Sequence, residues 1–128
     1  YKAMNDALVK AELTASEIDF INAHGTGTEN NDRVEGTAIL RLFGKAPAFT
    51  STKANTGHTL GAAAAIEAVY AVLNLYHQEL YPCINFKDSI STLGLTPLQS
   101  YKKMEIHNIM SNSFGFGGNC SSLIFSKA

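Results

Sequence analysis

Two histidines in this sequence of 128 residues lie in settings that suit carbonyl chemistry. His24 follows a short apolar run, residues 18–23, and precedes the glycines and threonines of residues 25–28. The apolar run predicts a buried strand, so His24 is expected at its carboxyl end, where open α/β sheets bind ligands. Because a lone histidine more often has a structural role, His24 needs support from elsewhere in the sequence.

His58 provides that support. It comes after a second predicted strand, residues 48–52, and ahead of a long apolar stretch, with Lys53 between the two. Backbone N–H groups at a helix start disfavour a protonated imidazole, so we predict that His58 stays neutral and donates a hydrogen bond to a developing oxyanion. Because two histidines follow predicted strands, a shared site for carbonyl chemistry is favoured. The alternative is that His58 only caps a helix and Lys53 is a solvated charge.

Other chemistry fits the spacing less well. A zinc site would need a further His or Glu at ligand spacing, and Cys83 and Cys120 are distant in sequence, so no metal is predicted. Cys120 has no predicted helix amino terminus to stabilise a thiolate, and both cysteines are predicted to be core or loop thiols. Residues 116–118 resemble a phosphate cradle only superficially, because a strand-like run follows them.

Glu67 lies within the apolar stretch at residues 60–80. A carboxylate buried in such a helix costs several kcal/mol unless it is paired. Lys53, fourteen positions earlier, is the candidate partner; alternatively, Glu67 and Asn74 form a narrow solvent-facing stripe. The sequence leaves both interpretations open.

The same stretch has about the length of a membrane span. Glu67 within it, and small alanines in place of leucines, favour instead a helix buried at the centre of a layered protein. No membrane span is therefore predicted.

The rest of the sequence predicts alternating helices and strands. The predicted features are an amphipathic helix at residues 1–13, a capping box at Thr14 and Glu17, a helix at 32–43 ended by Gly44, irregular structure at 82–103, and strands at 106–111 and 121–126. The β-α-β order of the first half favours a parallel pair of strands.

Composition narrows the class of protein. Ten basic and eleven acidic side chains give a net charge of −1 with no block of like charge, so a nucleic-acid partner is not expected. Two cysteines without CxxC spacing favour free thiols in a reducing compartment, and we expect a cytoplasmic protein. The sequence starts at Tyr1 without a signal-like segment, which we interpret as an excerpt from a longer chain.

Three motifs in one order produce a family resemblance. They are His-Gly-Thr-Gly-Thr at residues 24–28, Ser-Thr-Lys followed by Gly-His at 51–58, and Asn-Ser-Phe-Gly-Phe-Gly-Gly at 112–118. The sequence resembles the β-ketoacyl synthases over essentially all of residues 1–128, most of all the elongating, synthase II-like enzymes that act on acyl carrier proteins. The resemblance implies a thiolase-like α/β fold, of which this chain would be the carboxyl-terminal half, layered α/β/α with a mixed sheet.

The resemblance also implies an acyltransferase activity. A 3-oxoacyl-(acyl carrier protein) synthase condenses an acyl thioester with malonyl-carrier protein, with loss of carbon dioxide, in fatty acid or polyketide-type synthesis. No cofactor is implied, because the phosphopantetheine arrives on the acyl carrier protein. The nucleophilic cysteine belongs to the amino-terminal half, so residues 1–128 are expected to be inactive alone. The implied partners are the carrier protein, the missing half, and a second subunit in a homodimer or a synthase heterodimer.

The resemblance assigns roles to individual residues. His24 and His58 would hold the malonyl thioester carbonyl and stabilise the enolate formed from it, and Lys53 would orient the pair. Thr26 and Thr28 match positions that hydrogen-bond the phosphopantetheine arm.

Further matches lie outside the histidine motifs. Phe116 matches a residue that gates acyl entry and whose backbone N–H contributes to the oxyanion hole. Positions that surround a structural cation or water in some members of the family correspond to Asn22, Glu67, Ser111 and Asn112. Where the family often has Pro-x-Gly-Asp, residues 29–32 keep only the aspartate, which leaves the turn geometry there open.

Two alternatives remain within this fold. One is a non-catalytic partner subunit of the chain-length-factor type, and the presence of His24, Lys53 and His58 together argues against it. The other is a thiolase proper or an initiating synthase, families that generally have asparagine or cysteine in place of one of these histidines.

Overall fold

Helical and strand patterns alternate along the chain, and the computed structural model, which describes residues 1–128, arranges them around one mixed sheet. The helices are α1 Lys2–Ala11, α2 Glu29–Phe43, α3 Lys53–Thr56 and α4 Ala63–His77. The strands are β1 Phe20–Asn22, β2 Ala48–Thr50, β3 Glu79–Leu80, β4 Lys102–Lys103, β5 Asn108–Phe114 and β6 Cys120–Ser126. Short 3₁₀ turns occupy Ala15–Glu17, Leu60–Ala62 and Phe116–Gly118.

The main sheet has the strand order β2-β1-β5-β6. Strand β1 pairs in parallel with both β2 and β5, so that Asn22 lies opposite Thr50 on one side and Ser111 on the other. Strands β5 and β6 are antiparallel, and β3 and β4 form a separate antiparallel pair. The predicted parallel pair and the two predicted C-terminal strands are confirmed.

Side chains that alternate along the strands divide the core into two apolar clusters. Ile21 and Met110 pack with α1 and α2 on one face of the sheet, where Ile39 is also buried. Phe20 and Ile109, one residue earlier in each strand, pack with α4 on the other face. Burying each such side chain contributes about 1.5–3 kcal/mol, so both helical layers are held by apolar contact with the sheet.

The predicted helix caps are present in the structure, but α2 begins earlier than predicted. Thr14 and Glu17 form the predicted capping box, here on a 3₁₀ turn, and Gly44 is the C-cap of α2. Helix α2 begins at Glu29 rather than at the predicted residue 32. Glu29 and Asp32 both fall in its first turn, where the helix dipole favours acidic side chains, so the segment predicted as a turn is helical.

The long apolar stretch is not a single helix over residues 60–80. It forms the 3₁₀ turn at Leu60–Ala62 followed by α4, and within this chain only the face of α4 toward the sheet is buried. Val69, Val72 and Tyr76 are exposed, because this chain supplies a packing layer on one side of α4 only. By length and composition alone Leu60–His77 would also pass as a membrane span, as the core helices of many proteins do.

Both cysteines are free thiols. Cys83 is half-buried in the irregular segment that joins β3 to β4. Cys120 is exposed at the first position of β6, so the prediction of a core or loop thiol is wrong for this residue.

Candidate active site

The parallel strands β1 and β2 end at the same edge of the sheet, which brings the two histidine motifs together. His24 follows β1, and the segment after β2 leads through α3 to His58. The ring centroids of His24 and His58 are 5.7 Å apart and the ring planes are nearly perpendicular, at 89°. Residues that are far apart in sequence therefore form one pair of imidazoles.

His24 is the buried member of the pair. Its side chain packs against Phe114, with ring centroids 5.7 Å apart, and its buried Nδ1 makes no hydrogen bond. Burial, together with the nearby charges of Lys53 and His58, lowers the pKa of His24 to about 4. The imidazole of His24 is therefore neutral at physiological pH.

His58 is exposed and lies in the linker between α3 and the following 3₁₀ turn, not at the first position of a helix. Its Nδ1 accepts a hydrogen bond from the backbone N–H of Leu60 at 3.1 Å. Since an accepting Nδ1 has no proton, a neutral His58 holds its proton on Nε2, which is free to donate. The geometry is compatible with the predicted role as a neutral donor.

Lys53 and Glu67 form a buried ion pair. Lys53 is 8% exposed and Glu67 is 2% exposed, and Nζ of Lys53 donates a hydrogen bond to Oε1 of Glu67. The other carboxylate oxygen accepts from Ser113 Oγ at 3.4 Å. The predicted pairing is confirmed, and the alternative of a solvent-facing stripe is wrong because Asn74 is buried as well.

Glu35 was not anticipated from the sequence. This residue of α2 is 4% exposed, and its two carboxylate oxygens accept hydrogen bonds from the backbone N–H groups of His24 and Gly25, each at 2.9 Å. Asn112 Nδ2 donates a third bond to Glu35 at 3.1 Å. Burial raises the pKa of the carboxyl group, while these hydrogen bonds oppose the shift. A sequence signal existed, because Glu35 lies four positions before the buried Ile39 and hence on the apolar face of α2.

The predicted supporting residues separate into two networks. Asn22 Oδ1 accepts a hydrogen bond from the backbone N–H of Thr52 at 3.2 Å, next to Lys53. Asn112 instead links Glu35 to Ser122, whose Oγ donates to Asn112 Oδ1 at 2.8 Å. Ser111 is buried beside Asn22 in the sheet register. No hydrogen bond joins Asn22, Glu67, Ser111 and Asn112 into one cluster.

The backbone after β1 passes unusually close to β2. Gly25 has a positive φ of 38°, and a Cβ atom at this position would lie 2.6 Å from Cβ of Ser51. Ser51 Oγ donates to the carbonyl of Gly25 at 2.9 Å. Beyond this turn, the hydroxyls of Thr26 and Thr28 are hydrogen-bonded to each other at 2.8 Å.

Phe116 is not brought to the histidines. Its side chain is fully exposed on the turn between β5 and β6 and does not line the cleft beside the site. The aromatic residue that contacts His24 is Phe114, at the end of β5. The gate and oxyanion-hole roles suggested for Phe116 stay predictions.

A cleft of about 560 Å³ is lined by His58 and by Ala23 and Gly25, the chain neighbours of His24. His58, Lys53 and Thr26 lie on one side of it, and the irregular segment between β3 and β4 forms the other side. This segment rests on α2 at Gly36, where a Cβ atom would lie 2.7 Å from Cδ1 of Leu93. The imidazoles of His24 and His58, beside a paired ammonium, can polarise a carbonyl oxygen held between them.

A mixed sheet with helices on both faces and a site at the strand ends defines a thiolase-like α/β protein, and solved structures of that fold superpose on it. Residues 1–87 match the family model described as the β-ketoacyl synthase, C-terminal domain. The chain therefore belongs to the β-ketoacyl synthase family, and the resemblance seen in its motifs is confirmed.

Individual relatives agree with this assignment. The chain is 43% identical to the mitochondrial 3-oxoacyl-[acyl-carrier-protein] synthase of Arabidopsis thaliana, an alignment that covers 98% of this chain and 29% of the relative. It superposes on the ishigamide ketosynthase/chain length factor with a TM-score of 0.94 and 33% identity, over 98% of this chain and 32% of the other. A structure of a type II polyketide synthase acyl-carrier protein in complex with its ketosynthase gives a TM-score of 0.93 and 30% identity, over 99% and 32% of the two chains. The chain thus spans less than a third of each relative.

Proposed function

We propose that this chain provides the histidine half of the active site of a 3-oxoacyl-(acyl carrier protein) synthase, which catalyses decarboxylative Claisen condensation. The observation that supports this most directly is the pairing of a buried, neutral His24 with His58 beside a cleft. Synthases of this name among the curated relatives support the reaction class.

The proposed chemistry uses the two imidazoles as hydrogen-bond donors. The thioester carbonyl of the malonyl group lies between His24 and His58. The bond to the carboxylate carbon breaks, carbon dioxide leaves, and the electron pair forms an enolate whose oxygen accepts bonds from both rings. The enolate carbon then attacks an acyl thioester carbonyl, the new carbon–carbon bond forms, and a thiolate leaves. Neutral donors suit this step because they stabilise the oxyanion without supplying a proton that would quench the carbanion.

Lys53 and Glu35 act as positioning residues in this proposal. The ammonium group of Lys53, held by Glu67, favours the neutral form of His24. Glu35 fixes the backbone that presents the imidazole of His24. Neither needs to touch the substrate for the reaction to depend on it.

The acyl-accepting cysteine is assigned by the family resemblance to a segment outside residues 1–128. We expect the chain alone to lack condensation activity and to act with that segment, as a homodimer or synthase heterodimer. An acyl carrier protein is the proposed donor of both thioesters, supported by the neighbouring ketosynthase structure that contains one. Its phosphopantetheine arm would enter the cleft past Thr26 and Thr28. A cytoplasmic location is also proposed, although two of the curated relatives are named as mitochondrial.

A malonyl decarboxylation assay tests the proposal. The chain is joined to the amino-terminal segment of a curated relative, and carbon dioxide release from malonyl-carrier protein is measured with and without that segment. We expect release only in the combined protein, and its loss in the His24→Ala and His58→Ala variants. His77→Ala, an exposed histidine on α4, is the matched control. Undiminished release in either active-site variant, or turnover by residues 1–128 alone, would contradict the proposal.

A further inference from the structure

A second cavity, of about 240 Å³, lies on the opposite face of the sheet from the cleft. Asn22 and Thr50 line it, whereas the next residue of each strand segment, Ala23 and Ser51, lines the cleft. This division follows from the alternation of side chains along a strand. Both cavities therefore open at the strand ends where α/β sheets bind ligands.

The second cavity contains buried polar groups that the chain does not satisfy. Thr50 is 4% exposed, and its Oγ1 has no hydrogen-bond partner. Asn74, on α4, is 5% exposed; its side-chain amide has no hydrogen-bond partner within the chain and opens onto the cavity rather than being fully enclosed. The Nδ2 of Asn22 has only one long bond, to Thr52 Oγ1 at 3.4 Å. Because leaving such groups unpaired is unfavourable, an occupant that bonds to them is favoured.

The chemistry of the walls restricts that occupant. None of the residues that line the cavity is charged, so an ion entering it would lose its hydration without meeting a counter-charge. Hydroxyl and carboxamide side chains provide donors and acceptors side by side. The rings of Tyr70 and Tyr81 provide flat apolar walls.

We propose that this cavity is a binding site for a small uncharged molecule that has a hydrogen-bond donor and an acceptor on adjacent atoms, as a carboxamide has. The carboxamide pairs with Asn74 and with the hydroxyl of Thr50, and Asn55 lies at the exposed rim. Asn22 connects the site to the cleft, because its Oδ1 accepts from the backbone N–H of Thr52, next to Lys53. The site does not depend on the proposed synthase activity.

Acetamide and acetate form a matched pair of probes, since they share a shape and differ in charge and donor groups. Backbone amide signals of the full chain are followed by NMR during titration with each. We expect saturable shifts at Thr50 and Asn74 with acetamide and none with acetate. Thr50→Val, which keeps the volume and removes the hydroxyl, is expected to weaken acetamide binding about tenfold.

A rim variant keeps the test valid if the core substitution disturbs folding. Asn55→Ala is exposed and is expected to weaken acetamide binding as well, whereas Asn30→Ala, an exposed asparagine of α2 outside both cavities, leaves it unchanged. Equal shifts with acetate would identify an anion site. Absence of saturable shifts would mean that water alone occupies the cavity, and binding unaffected by both Thr50→Val and Asn55→Ala would place it elsewhere. Each of these three results overturns the proposal.

Discussion

The carboxylate of Glu35 accepts a hydrogen bond from the backbone N–H of His24 at 2.9 Å, so a buried acid on α2 holds the strand end that presents the imidazole. The second carboxylate oxygen holds Gly25 in the same way. The position of His24 thus depends on a buried carboxylate of another element.

Replacing this acid tests its structural role. Glu35→Gln has only one acceptor oxygen, so one of the two backbone N–H groups is left unpaired in a buried setting. We expect the free energy of unfolding to fall by about 1–3 kcal/mol, measured by urea denaturation. Glu29→Gln, an exposed acid in the same helix, is the control and is expected to change stability little. If Glu35→Gln lowers the free energy of unfolding no more than the control does, Glu35 does not stabilise the backbone at His24 and Gly25.

The stability of the chain should depend on the protonation of His24. Its folded pKa, about 4, lies below the reference value of 6.5, so between these pH values the unfolded chain binds more protons. The contribution of His24 to the free energy of unfolding is therefore fully present above pH 6.5, and it is lost as the pH falls toward 4. Urea midpoints of the wild type and of His24→Gln should converge over this range. The carboxyl group of Glu35 has a raised folded pKa, so its contribution to stability changes with pH in the opposite direction. This contribution is present in both proteins and cancels when the two are compared.

A control separates this effect from general acid destabilisation. Asn30→Ala changes an exposed residue without a titratable group and is expected to leave the pH profile of the wild type unchanged. A His24→Gln profile parallel to that of the wild type between pH 4 and 6.5 would show that the pKa of His24 is not lowered by folding.

The buried pair of Lys53 and Glu67 predicts a non-additive effect. Lys53→Met leaves the carboxylate of Glu67 buried without a counter-charge, at an expected cost of about 3–5 kcal/mol in unfolding free energy. The double variant Lys53→Met/Glu67→Met removes both charges and should recover most of that stability. Because the ammonium group also lowers the pKa of His24, this pKa should rise in the double variant, as measured by NMR titration.

An exposed pair provides the comparison. Lys2→Met breaks the surface pair with Asp6 and is expected to have little effect, since exposed ion pairs contribute little. If Lys53→Met and the double variant lose the same free energy of unfolding, Lys53 and Glu67 are not energetically coupled.

The outward face of α4 predicts self-association. Val69, Val72 and Tyr76 are 58%, 50% and 80% exposed on one helix, an apolar patch of the kind that marks interaction surfaces. In sedimentation experiments we expect the chain to associate with itself, and Val72→Lys/Tyr76→Lys to shift it toward monomer. Val9→Lys, at an equally exposed valine of α1, should leave the association unchanged. A wild-type chain that sediments as a monomer would contradict this prediction.

Much of the site could be predicted from the sequence because its residues follow short apolar runs. A run of three to six apolar residues indicates a strand, and the β-α-β order makes neighbouring strands parallel, so His24 and the Lys53 to His58 segment had to meet at one edge. The family motifs lie at the same points of the chain, and the family and fold follow from them.

Burial could not be predicted in the same way. The α4 sequence is apolar on most faces, which indicates a helix at the centre of a layered protein, but a face is buried only where another layer packs on it, and this chain covers one face. Cys120 was likewise predicted as a core or loop thiol, whereas it is exposed at the first position of β6.

The sequence by itself determined the order of elements, the family and the pair of histidines, because these depend on local periodicity and on motif spacing. The tertiary structure alone decided which side chains become partners: Glu35 with the backbone of His24, Phe114 with its ring, and Lys53 with Glu67 rather than with solvent. Those pairings depend on how α2 and α4 pack against opposite faces of one sheet. Hydrophobic period shows that a helix has a buried face, but not which polar group of another element that face will meet.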